Sequence, residues 1–293
     1  VDEENFSLYK KSKNPVIRFI TNKMYNLQVQ GLKNTKICLN TEMSSTKNAF
    51  KKINILTYPV HLPIVYPFEN IDSNSFSENL QNISKKIKST ENPFIVLSHA
   101  RHLWVRPKKF DKDKWRFISK NNDWLIYAFK RFLDKRPSAN AILILFEYGK
   151  DHLETRKLCS KEGIDDKVLW APIMPRKEIL YLIKNSSVGV GEFYQDDVIW
   201  GGTGWEILSQ AKPLIQAFRA DKNQFKKEYG YGPPPLFSAN SIDSIYNSLL
   251  ELFDDPSLRK NNGKLNIDWF IKNNAHVSAK KAIDLLKKSR KVH

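Results

Sequence analysis

The stretch VIWGGTGWEILSQAKPLI, from Val198 to Ile215, decides how this chain is read. It sets three glycines, Gly201, Gly202 and Gly204, before an apolar helical pattern that contains one acid, Glu206. Glycine lets a ligand come close to the backbone, and the first N–H groups of a helix lack intrahelical acceptors and favour an anion. Thr203 adds a hydroxyl donor, and Glu206 is placed to accept from a ribose. A short helix is expected from Trp205 to Ala211, ended by Pro213, with Leu214, Ile215 and Ala217 as a buried strand. The stretch has the groups to hold a nucleoside diphosphate, although a plain tight connection uses the same residues.

Outward from this stretch, short apolar runs alternate with amphipathic ones. Phe94 to Ser98, Ala141 to Phe146, Lys167 to Trp170 and Ser187 to Val190 read as buried strands. Helices are expected where Trp124, Leu125, Ala128, Phe129, Phe132 and Leu133 share a face, from His152 to Lys161, and from Arg176 to Lys184. Such alternation predicts an α/β fold with a parallel sheet covered on both faces, whose ligands sit at the carboxyl ends of the strands. The first 92 residues differ: a basic helix around Val16 to Gln28, short strands at Lys36 to Asn40 and Ile53 to Tyr58, and a Ser-, Asn- and Lys-rich linker or exposed helix from Asn74 to Asn92. The expected division is therefore 1–92, 93–275, and a C-terminal helix with a basic tail over 276–293.

Composition narrows the classes. The chain has 293 residues, 41% of them hydrophobic, enough for one large or two medium cores. No apolar run approaches the roughly 18 residues of a membrane span, and the first residues lack the pattern of a signal peptide, so a cytoplasmic location is expected. Cys38 and Cys159 are expected to be reduced, and no Cys/His spacing suits zinc, so no metal is expected. The net charge of +17 points to an acidic partner. Its densest part, Lys280, Lys281, Lys287, Lys288, Arg290 and Lys291, follows an apolar face of Ala282, Ile283, Leu285 and Leu286. That face is expected to pack inward, leaving the lysines for peripheral contact with an anionic membrane. Lysines are not interleaved with aromatics in one stripe, and no nucleic acid is expected as a partner.

The segment WEILSQAKPLI, with SHAR at Ser98 to Arg101 and KNNDWLIYAF at Lys120 to Phe129, resembles nucleotide-sugar glycosyltransferases of the GT-B type. The similarity is to the large retaining group of sucrose-synthase-like and bacterial glycan-building enzymes, often called group 1 or family 4, and covers roughly Pro93 to Leu286. It implies a complete C-terminal nucleotide-sugar-binding domain and, in residues 1–92, only part of an N-terminal acceptor-side domain, as though an upstream segment were absent. Arg101 and Lys120 would then hold the donor diphosphate together with Gly202, Thr203 and Gly204, Glu206 would hold the ribose, and Pro172 and Met174 would run beside the nucleobase. His99, beside the phosphates, could donate to the leaving group. The excursion between the two cations, from His102 to Ser119, reads as a lid, an acceptor-binding loop or a packed surface loop.

One departure from the family pattern concerns its two glutamates, separated by seven residues, the first of which falls on Val198. Glu192, Asp196 and Asp197 are the nearby acids, and Asp197 is taken as the substitute; GEF at Gly191 to Phe193 resembles a divergent bacterial branch. The resemblance implies a hexosyltransferase that moves sugar from a nucleoside diphosphate to a glycan, lipid-linked or protein acceptor, retaining configuration, with no cofactor beyond the donor. The rivals are a basic nucleic-acid-binding protein on a Rossmann-like scaffold and a catalytically silent glycan-assembly subunit.

Overall fold

The structure, a computed structural model, describes residues 14–35, 38–40, 50, 57–59, 76–194, 201–219, 221–229, 231–273 and 275–290. The chain divides into two compact units, Val1–Pro63 with Lys222–Pro233 and Ala275–His293, and Ile64–Asp221 with Pro234–Asn274. The expected boundary at 93 lies inside the larger unit.

In the larger unit six strands, β3 (Phe94–Ser98), β4 (Ala141–Phe146), β5 (Val168–Ala171), β6 (Val188–Val190), β7 (Leu214–Gln216) and β8 (Phe237–Ser238), form one parallel sheet in the order β5-β4-β3-β6-β7-β8. Every residue of β3 and β4 is buried, as continuous apolar runs require of a sheet covered on both faces. On one face the helices Asn122–Lys135 and Ile242–Asp254 pack through Phe129, Phe132, Leu249 and Leu252. On the other, Glu78–Lys88, Arg176–Lys184 and Gly202–Ser209 contribute Leu80, Leu180, Trp205 and Ile207, and Pro256–Asn273 adds Phe270. The fold is thus the predicted α/β class.

The Glu78–Lys88 helix falls within the stretch read as linker or exposed helix, yet Leu80 and Ile83 are buried. Glu178 fixes its start, accepting hydrogen bonds from the Ser77 amide at 2.7 Å and hydroxyl at 2.8 Å. The glycine-rich helix starts at Gly202, three residues before the expected Trp205, with Gly201 as N-cap. Gly202, Thr203 and Gly204 are therefore its first turn, and no side chain caps its leading N–H groups.

The smaller unit holds a two-stranded parallel sheet of β1 (Cys38–Asn40) and β2 (Thr57–Pro59) and the helices Pro15–Lys33, Lys222–Tyr229 and Ala275–Arg290. Within the last, Ser278 is buried and Ala282 and Leu285 are half-buried, but Ile283 and Leu286 are each 50% exposed. The apolar face expected to pack inward is thus only partly covered. Among the described residues, no helix is long and apolar enough to cross a membrane.

Candidate functional site

The chain runs from β3 to β4 and β5 on one side, then returns to place β6, β7 and β8 on the other. Connections reverse between β3 and β6, and in open parallel sheets the crevice at such a switch, outside the carboxyl ends, is where ligands bind. His99 and Arg101 leave β3 there, and Gly191, Glu192 and Phe193 leave β6 beside them.

Lys120 reaches the same place through its neighbour. Asn121 holds a left-handed backbone (φ 45°) at the start of the Asn122–Lys135 helix, and its side-chain amide donates to the Phe193 carbonyl at 2.6 Å. The Phe193 amide donates to the Lys120 carbonyl at 3.2 Å. This two-way clasp sets Lys120 against Glu192. The Lys120 ammonium, 5% exposed, donates to the Glu192 carboxylate and, at 2.5 Å, to the Tyr194 hydroxyl. Burial pulls its pKa below the usual lysine value, Glu192 opposes that, and nearby Arg101 adds to the depression. Burial, then the Glu192 charge, pushes Tyr194 above the usual tyrosine value. An ammonium has three donors, so this pairing leaves one free for a ligand.

Glu192 also joins Lys120 to the glycine turn. A Cβ on Gly201 would lie 2.8 Å from Oε2 of Glu192, so a side chain there would push the carboxylate from its present place. The same carboxylate thus contacts Lys120 and approaches the N-cap of the Gly202–Ser209 helix, which has no side-chain cap of its own. Arg101 is exposed, and among the described residues its guanidinium makes no ion pair.

A second group surrounds Glu206. Nε2 of His99 lies 2.5 Å from one of its oxygens, and Nε of Arg176 lies 2.8 Å from the other. The arginine contact is close without hydrogen-bond geometry, and this Nε is buried with no hydrogen-bond partner. Nδ1 of His99, Oγ1 of Thr203 and both amide atoms of Gln216 are also buried without hydrogen-bond partners. Gln216 closes β7, with its amide against Gly191, where a Cβ would meet Oε1 at 2.1 Å. Buried polar atoms without partners are uncommon, and those of His99 and Gln216 stand at the carboxyl ends of β3 and β7.

The structure therefore sets Arg101 near Lys120, links Lys120 through Glu192 to Gly201 at the start of the Gly202–Ser209 helix, and joins His99 to Glu206. Pro172 is half-buried in the loop after β5, whereas the Met174 side chain is 8% exposed and packs in the apolar core. Asp197 lies outside the described residues. Two residues were not singled out as site residues: Arg176, which has no local signal because its partner comes from another helix, and Glu192, whose signal was only its place after a strand.

No protein-family model matches the sequence, and neither does any curated protein. Solved structures do match. HepE of Anabaena, crystallised with UDP and glucose, is 13% identical, with a TM-score of 0.60 over 90% of this chain and 66% of that one. The fold is that of the GT-B glycosyltransferases. WaaG, a glycosyltransferase involved in lipopolysaccharide biosynthesis, is 12% identical, with a TM-score of 0.59 over 97% of this chain and 72% of WaaG. A glycosyltransferase from Rickettsia africae is 14% identical, with a TM-score of 0.60 over 96% of this chain and 83% of that one. The chain spans less than two thirds of HepE and 46% of S. aureus TarM, another structure that it matches.

Proposed function

We propose that this chain binds a nucleoside diphosphate sugar and takes part in transferring the sugar to a glycan, lipid-linked or protein acceptor. The observation that carries this is the convergence, at the topological switch, of two cations, an uncapped glycine-rich helix start and a carboxylate. UDP in complexes of the structurally similar HepE supports it. Arg101, Lys120 and the Gly202 and Thr203 amides hold the diphosphate beside Gly204, whose own amide donates to the Gly201 carbonyl at 3.1 Å, and Glu206, aimed by His99 and Arg176, accepts from the ribose. Pro172 borders the nucleobase; Met174 acts from beneath, by packing the loop.

The chemistry is leaving-group stabilisation. Negative charge grows on the diphosphate as the sugar bond breaks, and fixed cations and N–H dipoles stabilise it without reorganising. Arg101 and Lys120 supply positive charge, so transfer proceeds without an essential metal; retention of configuration and a hexosyl donor rest on the family resemblance alone. Asp197 acts on the sugar side, and His99 donates to the leaving group. Val198, in place of the first family glutamate, favours a second reading, a subunit that binds donor but does not transfer. Work at the cytoplasmic face of a membrane accords with the net charge.

Thermal shift with UDP, GDP and ADP tests the donor site. At about 100 times the dissociation constant, ligand adds roughly 2.7 kcal/mol. No shift with any of the three removes the proposal; a shift without sugar transfer or donor hydrolysis selects the silent subunit. Activity lost to a chelator would refute the metal-free part.

A further inference from the structure

Between Arg101 and Lys120 the chain makes an excursion that is firmly held at its base and exposed at its tip. The Asp151 carboxylate accepts from the Trp104 and Val105 amides at 2.7 and 2.9 Å, and the Trp104 indole donates to Thr155 at 2.9 Å. The Leu103 amide donates to Asn122 at 2.9 Å, and the Lys120 amide to the Leu103 carbonyl at 2.7 Å. Beyond this base the Lys112–Ile118 helix has no buried residue.

What it displays, against the expectation that lysines and aromatics do not interleave, is apolar and basic together. Val105, Phe110, Phe117 and Ile118 are 36 to 43% exposed. Phe110 packs edge-on against Trp115 at 5.6 Å, the Trp115 indole approaches the Trp104 carbonyl, and Ile118 follows Trp115 by one helical turn, so these side chains adjoin. Around them stand Arg106, Lys108, Lys109, Lys112, Lys114 and Arg116, against two carboxylates, Asp111 and Asp113. Asp111 is used in capping the helix, accepting from the Lys114 amide at 2.9 Å. Among the described residues none of the six cations makes an ion pair. Arg106 donates to the Phe110 carbonyl at 2.7 Å and Arg116 lies over the Phe117 ring at 4.8 Å, while four lysines without ion pairs surround the exposed apolar side chains. This matches an anionic lipid surface: the charges meet headgroups and the apolar tips enter the boundary beneath them.

We propose that the tip of this excursion docks the carboxyl edge of the larger unit onto an anionic bilayer. Resting on the donor-site reading, this narrows the acceptor to one anchored in that bilayer, since the excursion begins and ends at the two diphosphate cations. It also makes the excursion, rather than the C-terminal lysines, the principal membrane contact.

Sedimentation of the full chain with vesicles of phosphatidylcholine alone, or with phosphatidylglycerol added, tests this. Binding is expected only with the anionic lipid and should weaken with salt. A cation near such a surface strengthens binding about fivefold, so Lys108→Ser/Lys109→Ser/Lys112→Ser should lose more than about tenfold. Phe117→Ser/Ile118→Ser should also lose binding, and Lys287→Ser/Lys288→Ser should lose less than either. The UDP thermal shift should persist in all three, reporting that they fold. Equal binding by either excursion variant and the unchanged chain overturns the proposal, as do equal binding to neutral vesicles and preferential binding of duplex DNA at matched salt. Vesicle binding with no UDP shift removes the donor reading and the conclusion about the acceptor, while leaving the docking surface standing.

Discussion

Glu206 is held from two sides, and that decides what its removal should do. Without the carboxylate, Arg176 and His99 remain while the acceptor for the ribose is gone. Glu206→Ala is expected to cost about 1.5 to 3 kcal/mol in binding both UDP and uridine, as for hydrogen bonds to charged groups. Arg101→Ala should cost a similar amount for UDP and almost nothing for uridine, because only the diphosphate meets the guanidinium. Titration calorimetry with both ligands checks this, and equal losses for Arg101→Ala would contradict its role. His102 offers a separate handle. Burial lowers its pKa from the usual 6.5 to about 4, so the folded state favours the neutral ring. Its contribution is complete above pH 6.5 and is lost as pH falls toward 4, a difference of about 2 to 4 kcal/mol. Urea unfolding at pH 7 and pH 4 should show that much less acid destabilisation in His102→Gln than in the unchanged chain.

At the scale of elements, the start of the Gly202–Ser209 helix couples to Lys120 through Glu192. Gly201→Ala would put a methyl against the Glu192 carboxylate and shift the partner of Lys120 with it. UDP affinity should fall at least about tenfold, near 1.4 kcal/mol, while uridine binding changes little; a loss shared equally by uridine would show a general disturbance instead. This helix also shows where the sequence was legible. Its glycines, Glu206 and the strand after Pro213 were readable because they are local signals. Its starting residue was not, since a first turn without a capping side chain resembles the loop before it. The apolar runs of β3 and β4 identified a doubly covered sheet, whereas Glu78–Lys88, with few apolar residues among many polar ones, becomes a packed helix only when Glu178 and the sheet are present. Arg101 and Lys120 were named through resemblance and lie near one another. The Lys120–Glu192 and Arg176–Glu206 contacts arise from strand order, which no short window of sequence contains.

Across the whole molecule, every described residue proposed to touch the donor belongs to the larger unit, from His99 to Glu206. The net charge of +17 extends over both units and says nothing of where a nucleotide sits, so a measurement resolved along the chain is needed. Hydrogen exchange with and without UDP provides it. A ligand that binds only the folded state lowers the population of every opening that destroys its site, by up to about 100-fold at 100 times its dissociation constant. Slower exchange is therefore expected in β3, in β6 and in the Gly202–Ser209 helix, whose openings separate Arg101, Glu192 and Glu206. The Pro15–Lys33 helix of the smaller unit contributes none of these groups, and its amides should exchange as before. Protection confined to Pro15–Lys33, with β3 and β6 unaffected, would move the nucleotide site out of the sheet crevice.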